Sequence, residues 1–377
     1  MRRIHGHILT PQGFLRGHLD IGPDGRIAAL EGQPLPDEDA ARALPAGQAL
    51  ILPGFIDTHV HGGGGADTME GGDAIHTLAR VHAGHGTTAL LATTMTAPLD
   101  EIRHALQGLA GACRQRAPGA ARVLGVHLEG PYINPGKLGA QPDFAKPLAV
   151  DELLALHAIA PIRLITLAPE VAGNLALIPK LVEAGLRVQI GHSSGSYEDG
   201  VAALQQGARG FTHLFNAMSG LHHREPGMVG AALAHAQHAE IIPDLIHVHP
   251  GALRAALRAI PGLFCVTDST AAAGMPDGEY RLGQHLVQKC LGGVRLADGT
   301  LAGSTLTLDQ ALRNLVQLGL SLREASARVS THAADYLGLA ERGRLAVGGW
   351  ADVVVLGTDL HLQHSFVEGE RIERHAE

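Results

Sequence analysis

Short apolar segments alternate with Ala- and Leu-rich segments along the chain from residue 51 onward. The apolar segments have the length of buried strands, and the segments between them have the spacing of amphipathic helices. The strand candidates are 51–60, 87–95, 122–129, 162–168, 187–192, 209–214, 240–247 and 262–268. Helical patterns lie between most of these, for example at 74–84, 151–159, 174–184 and 251–260. The pattern predicts an α/β fold with eight strands closed into a (β/α)8 barrel, and a doubly wound open sheet is the alternative.

The two ends of the chain show a different pattern. Residues 1–50 have short apolar segments joined by Gly and Pro turns, such as the one at 22–25, and the tail again has strand-like segments at 344–356 and 365–372. Frequent turns between short alternating segments are typical of β structure. We therefore predict that residues 1–50 and 341–377 meet in one small β domain, and that the barrel covers 51–340.

Composition narrows the possible functions. The net charge is −8, from 29 basic and 37 acidic residues, which argues against a nucleic-acid surface. The sequence has no run of about 18 apolar residues, so no membrane span is expected. The three cysteines have no metal-ligand spacing, and the amino terminus shows no signal segment. Both features favour a reducing, cytoplasmic location.

The first barrel strand ends in a pair of histidines. His59 and His61 flank Val60, and four glycines follow at 62–65. Residues i and i+2 of a strand point to the same side, so both imidazoles can face one point while the glycines let the chain turn away. Paired imidazoles suit zinc and similar ions. The pair alone is weak support for a metal site, because the chain has 24 histidines.

Further polar residues close other predicted strands. Glu129 ends the third strand, His192 the fifth, His213 the sixth and Asp268 the eighth. Singly, each is more often a cap or a hydrogen-bonded core group. The carboxyl ends of barrel strands share one face, so together they predict a site for one or two divalent ions. Zinc is expected, and ferrous iron is the alternative.

These motifs resemble the amidohydrolase superfamily over nearly the whole chain. The segment 53–65 is common to that superfamily. The segments that resemble its branch of amino-sugar phosphate deacetylases are 127–134, 191–193, 212–218, 223–227, 266–269 and 301–305. The resemblance implies a barrel with a small β-sandwich domain, a homodimer, and hydrolysis of the N-acetyl group of N-acetylglucosamine 6-phosphate.

The resemblance also implies roles for single residues. Glu129, His192 and His213 match the main metal ligands. His59 and His61 match the histidines of a second metal, with Glu129 as the bridge between the two ions.

Asp268 matches the catalytic acid–base, and a role as a metal ligand only is the alternative. The residues that match substrate contacts are Gln141, Asn216, Ala217, Arg224 and His247. Arg224 and His247 are implied to bind the phosphate, with the backbone of Asn216 and Ala217. Without the resemblance, Arg224 would be interpreted as part of a surface or dimer-interface ion pair with Glu225.

Position 141 departs from the family pattern. Relatives carry a Gly-Ala-His segment there, whereas this chain has Gly-Ala-Gln at 139–141. The amide of Gln141 can donate a hydrogen bond but carries no charge. Either a second metal polarises the acetyl carbonyl more strongly, or the preferred sugar differs, with N-acetylgalactosamine 6-phosphate as the nearest alternative.

Three other functions compete with this interpretation. Cyclic-amide hydrolases of the superfamily bridge two metals with a carboxylated lysine, but none of the four lysines here ends a predicted barrel strand. A deacylase of N-acyl-D-amino acids also cuts a linear amide and stays an alternative. A non-enzymatic scaffold is disfavoured, because every inferred ligand and Asp268 are present.

Overall fold

The fold was analysed in a computed structural model, which describes residues 1–44 and 48–373. The strands are β1 (Arg2–Thr10), β2 (Gly13–Ile21), β3 (Ile27–Pro34), β4 (Leu50–Pro53), β5 (Phe55–Val60), β6 (Gly62–Gly63), β7 (Ala66–Asp67), β8 (Thr87–Thr94), β9 (Arg122–Glu129), β10 (Ile162–Leu167), β11 (Arg187–Ile190), β12 (Gly210–Phe211), β13 (His238–Ile241), β14 (Gly262–Cys265), β15 (Gly278–Leu282), β16 (His285–Cys290), β17 (Gly293–Arg295), β18 (Leu301–Ser304), β19 (Val353–Leu356), β20 (Leu362–Val367) and β21 (Glu370–Ile372).

Helices separate most of the barrel strands. They are α1 (Glu38–Arg42), α2 (Ala74–Gly84), α3 (Leu99–Arg114), α4 (Val150–Ile159), α5 (Asn174–Glu183), α6 (Tyr197–Gln205), α7 (Gly227–His235), α8 (Pro250–Ala259), α9 (Leu308–Gln317), α10 (Leu322–Val329) and α11 (Thr331–Leu337). Single 3-10 turns lie at Thr68–Glu70 and Pro135–Lys137. Within the described ranges, none of these helices has the length and apolar character needed to cross a membrane.

The parallel strands curl round a buried interior. A six-stranded sheet has the order β12-β11-β10-β9-β8-β5, and β13 pairs with β14. A parallel bridge between Val60 and Ser269 brings the end of β5 against the segment that follows β14. All eight residues of β8 are buried, as expected for a strand covered on both faces. The alternation of strands and helices confirms the predicted α/β barrel.

Both ends of the chain contribute to a second sheet. Its seven strands have the order β21-β20-β19-β4-β1-β2-β3. A separate apolar core, which includes Ile8, Leu19, Ile51, Val353 and Phe366, packs within this sheet region. β4 extends this sheet to Pro53, and β5 begins the barrel two residues later. The predicted division at residues 50 and 341 stays a prediction.

Two features differ from the sequence-based expectation. The strands predicted at 209–214, 240–247 and 262–268 are shorter, because the chain leaves regular pairing at β12, β13 and β14. His213, Leu245 and Asp268 have positive φ angles of 29°, 66° and 50°, which end the extended conformation. The four-stranded antiparallel sheet β15-β16-β17-β18 was not predicted.

An ion cluster joins the small sheet to the amino-terminal end of the barrel. Arg122, the first residue of β9, donates two hydrogen bonds of 2.8 Å to the carboxylate of Glu368. Arg342 binds both Glu368 and Asp352, and Arg116 lies 3.2 Å from Glu368. Guanidinium groups keep their charge at all working pH values, so this carboxylate is fully paired within the protein.

Candidate active site

The His59–His61 pair lies at the carboxyl end of β5. The backbone N–H groups of His61 and Gly62 both donate to Ser269 O at 2.9 Å, which fixes the turn after the strand. Gly64 and Gly65 have φ angles of 64° and 83°, a region that glycine enters without strain. The two imidazole Nε2 atoms lie 3.2 Å apart, so both point to the same place.

Glu129 lies between two pairs of imidazoles. Its Oε1 lies 3.1 Å from His192 Nε2 and 3.0 Å from His213 Nε2. Its Oε2 lies 3.1 Å from His61 Nε2 and 3.4 Å from His59 Nε2. Each carboxylate oxygen therefore faces its own histidine pair, which is the arrangement expected of a bridging ligand.

Asp268 lies beside the His59–His61 pair. Its Oδ1 is 3.2 Å from His61 Nε2 and 3.4 Å from His59 Nε2. The Asp268 side chain is 13% exposed, whereas that of His59 is fully buried. Asp268 is therefore the carboxylate of this group that is most open to a molecule in the cavity.

Several site residues have left-handed backbone conformations. His192, His213, Ala217 and Asp268 have φ angles of 48°, 29°, 51° and 50°. Such conformations cost about 1–3 kcal/mol each for residues other than glycine, and they concentrate at functional sites. The strand ends are therefore turned so that their side chains face the centre of the barrel.

Charge is concentrated at this site. Burial lowers the pKa of His61, but hydrogen bonds with Asp268 and Glu129 outweigh burial and raise the pKa to about 9. Burial raises the pKa of Glu129, but the charge of His59 and the interactions of His192 and His213 hold it well below its usual range. The carboxylates therefore favour positive charge in the space between the imidazoles.

Sequence reasoning missed two buried carboxylates under the site. Glu240 of β13 is fully buried and accepts hydrogen bonds from His59 Nδ1 at 3.1 Å and Thr58 Oγ1 at 2.6 Å. Asp57 accepts from Thr267 Oγ1 at 2.6 Å, and burial raises its pKa to about 7. Neither ends its strand, so the strand-end criterion could not find them.

A cavity of about 240 Å³ opens in front of these ligands. The predicted site residues that line it are His61, Glu129, Gln141, His192, His213, Asn216, Ala217, His247 and Asp268. His59 lies behind them. Leu282, Thr300, Leu301 and Gly303 of the unpredicted sheet region line the same cavity, as does Met95 after β8.

Gln141 is held by both ends of its amide. Its Oε1 accepts from the backbone N–H of Thr96 at 2.6 Å, and its Nε2 donates to Glu129 Oε2 at 2.7 Å. The Thr96 N–H can only donate, so the orientation of the amide is fixed. One N–H of Gln141 contacts the Glu129 carboxylate, and no described residue accepts a hydrogen bond from the other.

The residues predicted to bind phosphate are not all in one place. His247 Nδ1 donates to Asp244 Oδ2 at 2.6 Å, and this contact outweighs burial and raises the His247 pKa. Arg224 is exposed, its Nη1 lies 3.0 Å from His223 Nε2, and it is not among the described residues that line the cavity. Arg224 is therefore outside the cavity lining as the described residues form it.

Comparison with known proteins identifies the family. The model of the amidohydrolase family matches residues 50–372. The chain belongs to the amidohydrolase family. Its members hydrolyse carbon–nitrogen bonds with the help of bound metal, and the ligand set described above fits that chemistry.

Two curated relatives match almost the full chain. N-acetylgalactosamine-6-phosphate deacetylase of Escherichia coli O157:H7 is 42% identical over 371 residues, covering 96% of this chain and 97% of the relative. N-acetylglucosamine-6-phosphate deacetylase of Vibrio furnissii is 38% identical over 385 residues, covering 98% and 96%.

A solved structure has the same fold. A mutant N-acetyl-D-glucosamine-6-phosphate deacetylase of Mycobacterium smegmatis, in complex with N-acetyl-D-glucosamine-6-phosphate, is 32% identical with a TM-score of 0.89. The match covers 99% of this chain and 100% of that one.

The candidate ligand atoms of this amidohydrolase have a spacing that fits a metal ion. Donor atoms around one tetrahedral zinc, bound at about 2.0–2.1 Å, lie about 3.3 Å apart. The Nε2 atoms of His192 and His213 are 3.1 Å apart, and those of His59 and His61 are 3.2 Å apart. The imidazole pairs and the carboxylate of Glu129 therefore fit zinc or a similar ion.

Proposed function

We propose that this amidohydrolase removes the acetyl group of N-acetylglucosamine 6-phosphate, giving glucosamine 6-phosphate and acetate. The observation that carries the proposal is the position of Glu129, with one imidazole pair at each oxygen and Asp268 beside the cavity. Relatives with this activity, which match nearly the full chain, support the choice of substrate.

Two divalent ions, zinc in the first instance and ferrous iron as the alternative, are proposed for the site. His192, His213 and Glu129 Oε1 would hold one, and His59, His61 and Glu129 Oε2 the other. A bound divalent ion supplies Lewis acidity, lowering the pKa of water and polarising the acetyl carbonyl.

Asp268 is proposed as the proton carrier of the reaction. It accepts the proton of the attacking water and returns it to the nitrogen that leaves as an amine. A neutral amine leaves far more readily than an amide anion, so the returned proton is needed for the bond to break. The exposure of Asp268 toward the cavity supports this role over that of a ligand alone.

A second sugar is favoured by one specific observation. The relative that acts on N-acetylgalactosamine 6-phosphate is 42% identical, and Gln141 stands where the expected motif has histidine. Because the second N–H of Gln141 is free, it can donate to the acetyl carbonyl without bringing a charge. N-acetylgalactosamine 6-phosphate is therefore the second candidate substrate.

The phosphate is proposed to bind near His247 and the backbone of Asn216 and Ala217. The Asp244 contact favours the charged form of His247, which suits an anion. Arg224 is proposed to complete this site from a partner subunit, because it is exposed and is not among the described residues that line the cavity. The homodimer and a cytoplasmic location stay part of the proposal.

A deacetylation assay with metal analysis of the same sample tests the proposal. The substrates are the two acetylamino-sugar 6-phosphates and the same sugars without phosphate. We expect turnover of the phosphorylated sugars only, and His247→Gln should raise KM about tenfold or more with less effect on kcat. Negligible turnover of both phosphorylated sugars by metal-loaded protein would reject the proposed function.

A further inference from the structure

Glu240 is the fully buried carboxylate beneath the His59–His61 pair. Both of its oxygens are used, one by Thr58 Oγ1 at 2.6 Å and the other by His59 Nδ1 at 3.1 Å. A carboxylate can only accept, so the proton of the imidazole must lie on Nδ1. This leaves the Nε2 lone pair of His59 directed toward Glu129 and Asp268.

The four imidazoles of the site differ in this support. His192 Nδ1 donates to the backbone carbonyl of Lys137 at 2.8 Å, which is a neutral acceptor. The Nδ1 atoms of His61 and His213 are buried and have no hydrogen-bond partner among the described residues. Within this ligand set, His59 is therefore the imidazole whose far nitrogen is bonded to a charged acceptor.

A different interpretation of Glu240 can be excluded. Glu240, His59 and His127 lie close enough together to suggest a metal site of their own. However, His127 Nδ1 donates to Thr58 O at 3.0 Å, and its Nε2 lies 2.7 Å from Thr166 Oγ1. Both nitrogens of His127 are engaged, so this histidine offers no lone pair to an ion.

The charge of Glu240 also bears on the number of ions. Glu129, Asp268 and Glu240 place three carboxylates around the four imidazoles, and Asp57 is buried beneath His59. One divalent ion would leave a net negative charge in this buried region, and uncompensated buried charge is costly. A second divalent ion offsets this charge. The negative charge of Glu240 lies on the side of Glu129 that holds His59 and His61, and it therefore favours an ion there.

We propose that Glu240 is a positioning residue that acts through His59 and selectively strengthens ion binding at the His59–His61 pair. The inference rests on the proposed function, since it assumes the two-ion site. A carboxylate behind a ligating histidine fixes its tautomer and raises its basicity, and its loss weakens metal binding by about 10–100-fold. The His192–His213 position has no such carboxylate and should be little affected.

Two substitutions separate charge from hydrogen bonding. Glu240→Gln keeps an acceptor for His59 Nδ1 and removes the charge, whereas Glu240→Leu removes both. In zinc titrations against a chelator, we expect wild type to bind two equivalents. The more weakly bound zinc ion, which we assign to the His59–His61 pair, is called the weaker equivalent. Its affinity should fall about tenfold in Glu240→Gln and about a hundredfold in Glu240→Leu, and the affinity of the other zinc ion should stay unchanged.

A second measurement reports on His59 itself. In protein labelled with ¹⁵N-histidine, the shifts of His59 should indicate the Nδ1–H tautomer in wild type and Glu240→Gln, and a mixture in Glu240→Leu. A merely structural role would not change the tautomer. If Glu240→Leu does not fold, Glu240→Gln still decides the matter through the affinity of the weaker equivalent.

Glu170→Gln is the matched control. The carboxylate of Glu170 accepts from Ser193 Oγ at 2.7 Å and Ser194 N at 2.8 Å, next to His192 and away from His59. This variant should bind the weaker equivalent as wild type does. Equal affinities for that equivalent in wild type and Glu240→Gln, with the same His59 tautomer in Glu240→Leu, would overturn the inference.

The metal-binding test of Glu240 and the deacetylation assay can succeed or fail independently of each other. Protein that binds two ions, loses one in the Glu240 variants and deacetylates neither sugar phosphate would reject the function and keep the inference. If wild type binds a single ion, unchanged affinity in both Glu240 variants overturns the inference, and weakened affinity with an altered His59 tautomer supports it.

Discussion

The two ends of strand β9 carry charged residues in opposite situations. At its start, Arg122 binds Glu368, which also contacts Arg342 and Arg116. At its end, Glu129 is surrounded by imidazoles, which are neutral unless they take up a proton. The Glu368 carboxylate is paired with guanidinium groups that always carry a positive charge. The Glu129 carboxylate instead contacts imidazoles, so a bound cation would be favourable there.

The two ends of β9 should therefore have different roles, one in the stability of the fold and the other in ion binding. At the start of β9, Arg122 is bonded to Glu368 of the small sheet region and the charges there are paired, so this end should contribute to folding. At the end of β9, four imidazoles converge on Glu129, so this end should contribute to ion binding. The same division is general among barrel enzymes.

The largest effect is expected from Glu129→Gln. Loss of the shared carboxylate should weaken both ion sites, and kcat/KM should fall about ten-thousandfold or more. Metal content and kcat/KM of the purified variant are the measurements. A variant with full metal content and near-normal activity would contradict the contrast between the two ends of β9, because Glu129 would then be needed for neither ion binding nor catalysis.

Asp268→Asn should separate ion binding from proton transfer. The amide cannot take up or return a proton, so kcat should fall about a thousandfold. The four imidazoles and Glu129 remain, so the metal content should stay that of wild type. If metal and activity are lost together, Asp268 serves as a ligand rather than as the acid–base.

Glu368→Gln should lower the stability of the fold and leave activity intact, which is the reverse of the effect expected for the site variants. Removing the carboxylate charge leaves Arg122 without its anionic partner and Arg342 with Asp352 alone, so the free energy of unfolding should fall by about 3 kcal/mol. Activity per folded molecule should stay unchanged. Denaturant unfolding and kcat measure the two effects.

Glu370→Gln is the matched control, because Glu370 pairs with Arg116 but its side chain is 38% exposed. Solvent screens that pair, and the loss should be below about 1 kcal/mol. Equal losses in the two variants would mean that burial of the cluster is not what gives it strength.

The smallest effect is a pH dependence of the same cluster. Burial raises the pKa of Glu368, but Arg122 and Arg342 outweigh it and lower the pKa to about 2. A depressed pKa stabilises the fold above the unfolded value, which is about 4.5, and this contribution is lost as the pH falls toward about 2. The difference in unfolding free energy between wild type and Glu368→Gln should therefore be constant above pH about 5 and shrink below it. A difference that is the same at pH about 3 and pH about 7 would contradict this assignment.

The barrel was predictable because strand and helix periodicities alternate so regularly. The positions at which the strands end were less predictable from the sequence. The segment 262–268 continues as an apolar run, but hydrogen bonds to the backbone near His59 draw Asp268 out of the strand, which the local sequence cannot encode. The sheet β15–β18 lacks long apolar alternation, and three of the six residues of its central strand β16 are exposed.

Prediction of the site had a similar limit. The polar residues predicted at strand ends do lie together, because parallel strands share one face, and their role as metal ligands stays a proposal. Glu240 was missed because it lies inside a strand, where an acid is expected only if a partner from elsewhere in the chain pairs with it. That partner, His59, is 181 residues away in sequence. The exposed position of Arg224 depends on the path of a loop, which no periodicity reports.

The fixed amide of Gln141 limits how this position can change during evolution. A histidine there would have to replace two contacts at once, the acceptor for Thr96 N–H and the donor to Glu129. The donor and acceptor nitrogens of an imidazole point in more divergent directions than the N–H and oxygen of an amide, so Gln141→His alone is expected to lose one of the two contacts. A change of preferred sugar through this position would therefore require a compensating change near Thr96, and the two substitutions would be epistatic.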